Sequence, residues 1–292
     1  MGGLIGACLA HSGDAVTMVV RPGTLEQFPA EMRLESQLLG NFSARVEKAA
    51  QAPPADVLWI TVKAPQLDAA LQSVPRPDIA GAIVPLLNGI DHVAALRERF
   101  EQDRVVPGTF AGETERAAPG HIIHRSPFAW LNFGASGRDR LADAAAKLQA
   151  HGLTCRFFDN EATLLWNKLV FLAPFALSTS AYDTTIGRVF DNPESRSKVE
   201  ATMREACAVA VAEGAQVDVE KVLGASGNFP RDMRSSMQKD VDRGNVPELD
   251  AIAGPILRGG AKHGIAVPAT RELAAKVEER SRQRREPSIA SD

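Results

Sequence analysis

The first half of the chain alternates short apolar runs with helical patterns. Residues 15–20 (AVTMVV), 57–62 (VLWITV) and 82–87 (AIVPLL) each have the length and near-continuous apolar character of a buried strand, with Pro85 weakening the third. Val105 and Val106 begin another extended piece before Gly108, and helical patterns fill 67–73 and 93–100 between the runs. Strands that alternate with helices predict a parallel sheet joined by right-handed crossovers. From Gly120 the pattern changes: 121–124, 129–133 and 154–158 predict short strands around a helix over 140–150, a mixed sheet edge closing the first domain. Beyond Asp159 the pattern is helical. One long apolar helix is predicted over 161–182, and a second over 193–213 with Asn192 as N-cap, Pro193 in its first turn and Gly214 as its stop. Two more are predicted over 247–263 and from 270 to about 284. The expected organisation is an α/β domain over 1–159 and an all-α domain over 160–292, with no internal repeats. The last stretch, 280–292, is charged and then rich in Pro and Ser, which predicts a frayed tail.

Composition narrows the class. At 292 residues the chain is too long for one ordinary core and suits two domains. A hydrophobic share of 45% beside 24% charged residues fits a globular protein in water, and a formal net charge of −3 gives no general pull toward nucleic acid or anionic membrane. No apolar run approaches the roughly 20 residues of a membrane span, and the first residues lack the basic stretch and cleavage site of a signal peptide. A cytoplasmic protein with no nucleic-acid or membrane partner is therefore expected. Cys8, Cys155 and Cys207 are odd in number and far apart, which suggests neither a disulfide framework nor a zinc cluster. His121 and His124 stand three apart with no third ligand nearby; they read as strand or loop residues, and no metal is expected.

Candidate chemistry begins with Gly2, Gly3 and Gly6, which are followed by apolar residues, Gly13 and a predicted strand. This looks like the end of a glycine-rich phosphate loop and its helix, where glycines permit a tight turn and backbone N–H groups approach a pyrophosphate. In a G-x-G-x-x-G motif Gly2 would be the third glycine; the first strand and first two glycines are absent. Close packing at a helix start explains such glycines equally well. The strand 15–20 ends in Arg21, whose guanidinium suits the 2′-phosphate of NADP, although a surface Arg at a strand end is the commoner case. Lys63, Asn88 and Gly108-Thr109 likewise follow predicted strands, and in an open parallel sheet ligands bind at the carboxyl ends of strands. Lys168 has Leu164, Leu165, Phe171 and Leu172 as its helical neighbours. Desolvation there would lower its pKa and suit it to proton donation; a lysine laying its stem over apolar surface, amine in water, fits the same pattern. Asn245 and Glu248 have capping-box spacing, so the residues alone favour Glu248 as a cap, and Ser236 reads equally as an ordinary helical serine.

Together these motifs resemble the ketopantoate reductase family, whose members reduce 2-dehydropantoate with NADPH. The matching residues are Gly2, Gly3 and Gly6 with Gly13 and Arg21, then Thr61-Val62-Lys63-Ala64, Asn88-Gly89 and Trp166-Asn167-Lys168-Leu169. The match continues through Ser235-Ser236-Met237 with Asp240 and Glu248-Leu249-Asp250, and closes on His263-Gly264-Ile265-Ala266-Val267-Pro268. The resemblance implies a Rossmann-type N-terminal domain that binds NADP. It also implies an all-α C-terminal domain, 6-phosphogluconate dehydrogenase C-terminal-like, for substrate and dimerisation. By resemblance Lys168 is the proton donor, Glu248 holds the substrate hydroxyl, and Asn88 and Ser236 contact substrate. Gly2, Gly3, Gly6, Arg21, Lys63 and Asn88 would contact the cofactor. The implied partners are a small 2-oxo acid or ketone and a second copy in a homodimer, and the implied reaction belongs to pantothenate biosynthesis.

Two departures from the family pattern change the expectation. Asparagines expected four and eight residues after the lysine, and one before the glycine aligned with Gly187, are Leu172, Ala176 and Ile186 here. Apolar side chains in place of amides weaken recognition of a polar diol acid. The resemblance therefore supports NADPH-linked carbonyl reduction more directly than ketopantoate as substrate. The second departure is the missing first strand, which is central in the order 3-2-1-4-5-6. Its absence leads to the expectation that the natural coding region extends about ten residues upstream of Met1, or that this copy has lost cofactor binding. A competing reading is a non-catalytic NADP-binding protein of the same fold; retention of Lys168, Glu248, Ser236 and Asn88 together argues against it. A 6-phosphogluconate or 3-hydroxyacid dehydrogenase-like protein fits the domain order but not H-G-I-A-V-P.

Overall fold

The computed structural model describes residues 1–76, 79–228 and 230–285. The chain forms two compact units, one from Met1–Leu87 with His92–Leu164, the other from Asn88–Asp91 with Leu165–Asp292.

The first unit opens with α1 (Gly2–His11), β1 (Thr17–Val19), β2 (Glu31–Ser36), β3 (Phe42–Arg45), β4 (Glu47–Ala49) and β5 (Ala55–Ile60). It continues with α2 (Leu67–Leu71), β6 (Ala80–Pro85), α3 (His92–Arg99), β7 (Gly108–Ala111), β8 (Thr114–Ala118) and β9 (His121–His124). It ends with β10 (Trp130–Gly134), α4 (Arg138–Ala150) and β11 (Thr154–Phe158). The apolar runs become parallel strands: β1 pairs with β4, β5 with β6 and β10 with β11, while Val105 bridges in parallel to Ile83. Among the described residues β1 and β5 each carry a ladder on one edge only. Val57, Leu58 and Trp59 are accordingly half-buried, where Ala82, Ile83 and Val84 in β6 are fully buried.

The sequence pattern groups 121–124, 129–133 and 154–158 into one sheet edge, and the structure separates them. β9 lies in a four-stranded sheet of order β3-β2-β9-β8, whereas β10 sits between β11 and an antiparallel β7. β2 escapes the apolar-run criterion because it is a half-buried strand: Met32, Leu34 and Ser36 turn inward between more exposed Glu31, Arg33 and Glu35. His124 is buried against Ser36 (2.8 Å) and His121 bonds Glu35 (3.0 Å), so both serve the sheet. All three cysteines are free.

Helix α1 is apolar on every side and lies inside the core. Leu4, Ile5 and Cys8 pack with Met32 and Leu34 of β2, Phe110 of β7, Leu131 and Phe133 of β10, and Leu141 and Leu148 of α4. Its glycines permit this approach: a Cβ on Gly3 would stand 2.6 Å from Ile122, and one on Gly6 3.0 Å from the Met18 sulfur.

The second unit takes in α5 (Glu161–Tyr182) from Leu165 onward, α6 (Ile186–Asp191), α7 (Pro193–Ala212), α8 (Val219–Ala225), α9 (Ser236–Asp242), α10 (Leu249–His263) and α11 (Pro268–Arg285). Asn192 caps α7 as expected, its side chain accepting from the N–H groups of Glu194 and Ser195. No apolar run of spanning length is expected from the sequence, yet α5 is long and apolar enough to cross a membrane by length and composition. Most of it is buried inside the protein, and its Thr179 hydroxyl donates to Ser235, the N-cap of α9, at 2.8 Å. The expected frayed tail is corrected in part, because α11 stays helical through Arg285 and Arg280 donates to the Ser180 carbonyl. Residues 286–292 lie outside the described residues. The His263-Gly264 pair is a helix stop, with Gly264 left-handed at φ 67°.

Candidate active site

Lys168 stands on α5 among Leu164, Leu165, Phe171 and Leu172, all buried or half-buried. Its Nζ donates to Asn88 Oδ1 at 2.9 Å, and Asn88 Nδ2 donates to Glu248 Oε2 at 2.9 Å. One amide thus joins an ammonium to a carboxylate, its oxygen facing the cation and its nitrogen the anion, the arrangement its donors and acceptors require. Withdrawal from water pulls the Lys168 ammonium down to about 8, and the charge of Glu248 opposes that fall. Glu248 is buried.

The capping-box alternative for Glu248 does not hold. α10 begins at Leu249 rather than at 247, Glu248 itself occupies the N-cap without a side-chain cap bond, and its carboxylate accepts from Asn88 instead. Asn245 lies outside the helix, where its N–H donates to the Asp240 carbonyl.

The segment that carries Asn88 is tied down by residues the sequence reading did not single out. Gly89 has φ 84°, and a Cβ on it would stand 2.3 Å from the Ala251 carbonyl oxygen. Asp91 pairs with Arg258, which also donates to Asp250 Oδ1 at 2.7 Å. The available signal was Gly254-Pro255 inside an otherwise helical pattern, which marks a disturbed helix face.

Ser236 is the first residue of α9 and is exposed; among the described residues no hydrogen bond joins it to Lys168, Asn88 or Glu248. Of the three apolar replacements, Ala176 and Ile186 are each 1% exposed and only Leu172 is half-buried.

In the first unit Gly2 and Gly3 open α1, ahead of Leu4, whose N–H donates to the Met1 carbonyl. A Cβ on Gly2 would lie 2.2 Å from Thr61 Oγ1. Gly6 lies one turn further, buried on Met18. Arg21 is exposed just beyond the carboxyl end of β1, and Lys63 is exposed just beyond that of β5. A helix N-terminus, a planar cation and an ammonium at the ends of parallel strands fit the phosphates of a dinucleotide. Among the described residues no three His, Cys, Asp or Glu are grouped to hold a metal ion.

Residues 1–138 match the family model described as "Ketopantoate reductase PanE/ApbA", and residues 161–281 match "Ketopantoate reductase PanE/ApbA C terminal". The chain belongs to the ketopantoate reductase family. As a member of this family it is a nicotinamide-dependent oxidoreductase with a Rossmann-like strand-and-helix region followed by an all-helical C-terminal part. It is 25% identical to the uncharacterized oxidoreductase YkpB of Bacillus subtilis over 95% of each chain. It is 29% identical to the 2-dehydropantoate 2-reductase of Caulobacter vibrioides over 94% of each. The solved PanE/ApbA family ketopantoate reductase from Ralstonia eutropha superposes with a TM-score of 0.84 at 27% identity, covering 96% of this chain and 95% of that one.

Proposed function

We propose that this protein reduces a 2-oxo acid or related ketone with NADPH and that Lys168 donates the proton. The observation that carries this reading is the bonded series Lys168–Asn88–Glu248, a desolvated ammonium held by one amide. NADPH, when bound, supplies hydride to the carbonyl carbon. As that C–H bond forms, the carbonyl π electrons move to oxygen, and the oxygen takes a proton from Lys168 Nζ, which is left as a neutral amine. With its pKa near 8 the lysine is about nine-tenths protonated at pH 7 and a far better acid than an exposed lysine. Asn88 aims the ammonium, while Glu248 orients Asn88 and accepts a substrate hydroxyl. Ser236 is assigned a substrate contact by resemblance alone.

Arg21 reads the 2′-phosphate, which makes NADPH the preferred nucleotide, and Lys63 with the N–H groups of Gly2 and Gly3 serves the other phosphates. Leu172, one turn along α5 from Lys168, favours a less polar substrate than ketopantoate. The test is NADPH oxidation against a panel of 2-oxo acids and ketones that includes ketopantoate, with Lys168→Ala as control. Turnover on at least one 2-oxo acid or ketone, lost in the variant, is expected. Tight NADPH binding with no turnover on any compound would instead favour a non-catalytic NADP-binding protein of the same fold.

A further inference from the structure

The tetrapeptide Asn88–Asp91 packs with the helical unit, and contacts from three of its residues hold it there. Asn88 bonds Glu248 and Lys168. Gly89 presses on the Ala251 carbonyl, which is released from helix bonding because Pro255, four residues on, has no N–H to offer. Asp91 is paired with Arg258. To reach Asp250, eight residues back on α10, Arg258 lies across Gly254, where a Cβ would stand 2.3 Å from the guanidinium. Gly254 and Pro255 therefore prepare one face of α10: the proline bares a carbonyl for Gly89, and the glycine gives Arg258 a path to both carboxylates.

We propose that Arg258 is a positioning residue for the reductive site, holding Asp91 so that the Asn88 amide stays between Lys168 and Glu248. This rests on Lys168 as the proton donor. Arg258, Asp91 and Asp250 are all more than half exposed, so the ion pairs contribute little to stability. Their effect is geometric. Asn88 is three residues from Asp91, and a drift of about 1 Å away from either partner stretches that 2.9 Å bond beyond hydrogen-bond range. Lys168 would then lose an acceptor that favours its charged form.

The test uses Arg258→Ala, Asp91→Ala, the double variant and Arg258→Lys, read by kcat, NADPH KM and thermal midpoint. Lys168 is titrated separately by NMR of its ¹³C-methylated amine in the nucleotide-free protein. Arg258→Ala is expected to lower kcat about ten- to a hundredfold, to leave NADPH KM within about twofold and to lower the Lys168 pKa. Asp91→Ala should match it, the double variant should be no worse than either single one, and Arg258→Lys should recover part of the loss. Additive losses, an unchanged kcat, or a Lys168 titration unmoved in Arg258→Ala would each overturn the proposal. The titration separates this from the proton-donor reading, because it reports on positioning even if Lys168→Ala retains turnover.

Discussion

Replacing Glu248 by Gln should move the basic limb of the reductive pH profile toward lower pH. Lys168 stands at about 8 because burial lowers it and Glu248 partly restores it. Both charged groups bond the same amide at 2.9 Å, which places the charges roughly 6 Å apart. At an effective dielectric constant of about 20 their attraction is about 3 kcal/mol, or about two pH units. Gln keeps the size of the side chain and an oxygen that accepts from Asn88, so the change removes charge and little else. A general acid acts only when protonated, so the reductive rate falls as pH rises through the lysine pKa. With Lys168 as the proposed proton donor, that fall is expected near 8 in the native protein and about two units lower in the variant. In the oxidative direction the neutral amine acts as base, and the rate rises through the same pKa. Steady-state kcat compared between about pH 5 and about pH 9 within each protein removes any constant loss caused by weaker substrate binding. The variant-to-native ratio should fall about ninefold between pH 5 and pH 7. An unmoved limb in Glu248→Gln refutes the charge coupling, and the same limb persisting in Lys168→Met removes Lys168 from the chemistry.

Arg21→Ala should weaken NADPH binding about ten- to a hundredfold by calorimetry and leave NADH almost unchanged; equal losses would show that Arg21 does not read the phosphate. Leu172→Asn should raise kcat/KM for ketopantoate relative to an apolar 2-oxo acid, and a fall in that ratio would exclude Leu172 from substrate selection. Ala176→Asn differs, because at 1% exposure it puts an amide into the core and should cost about 1–3 kcal/mol in denaturant unfolding. Gly89→Ala should lower both the thermal midpoint and kcat, since its φ of 84° costs a side chain about 1–2 kcal/mol before the Ala251 carbonyl clash is added. A variant of native stability and rate would show that the loop does not need this approach.

Local pattern determined much of this protein. Strand β11 and helix α5 have the bounds that apolar periodicity predicts, Asn192 caps where its neighbours require, and the apolar company of Lys168 foretells a lowered pKa. Each of these depends on residues within a turn or two of chain, where backbone geometry alone decides who meets whom. Sheet partners were not legible, because a half-buried strand such as β2 carries only three inward residues and none names its neighbour. Glu248 shows the same limit at the site. Its spacing from Asn245 argued for a local cap, and the fold spent its carboxylate on an asparagine 160 residues away. Arg258 and Asp91, 167 residues apart, leave no trace in any local period. Such pairs exist only once hydrophobic burial has closed the long loops between them, so the groups proposed to bear the chemistry were readable one at a time, and only the tertiary structure decided their joining.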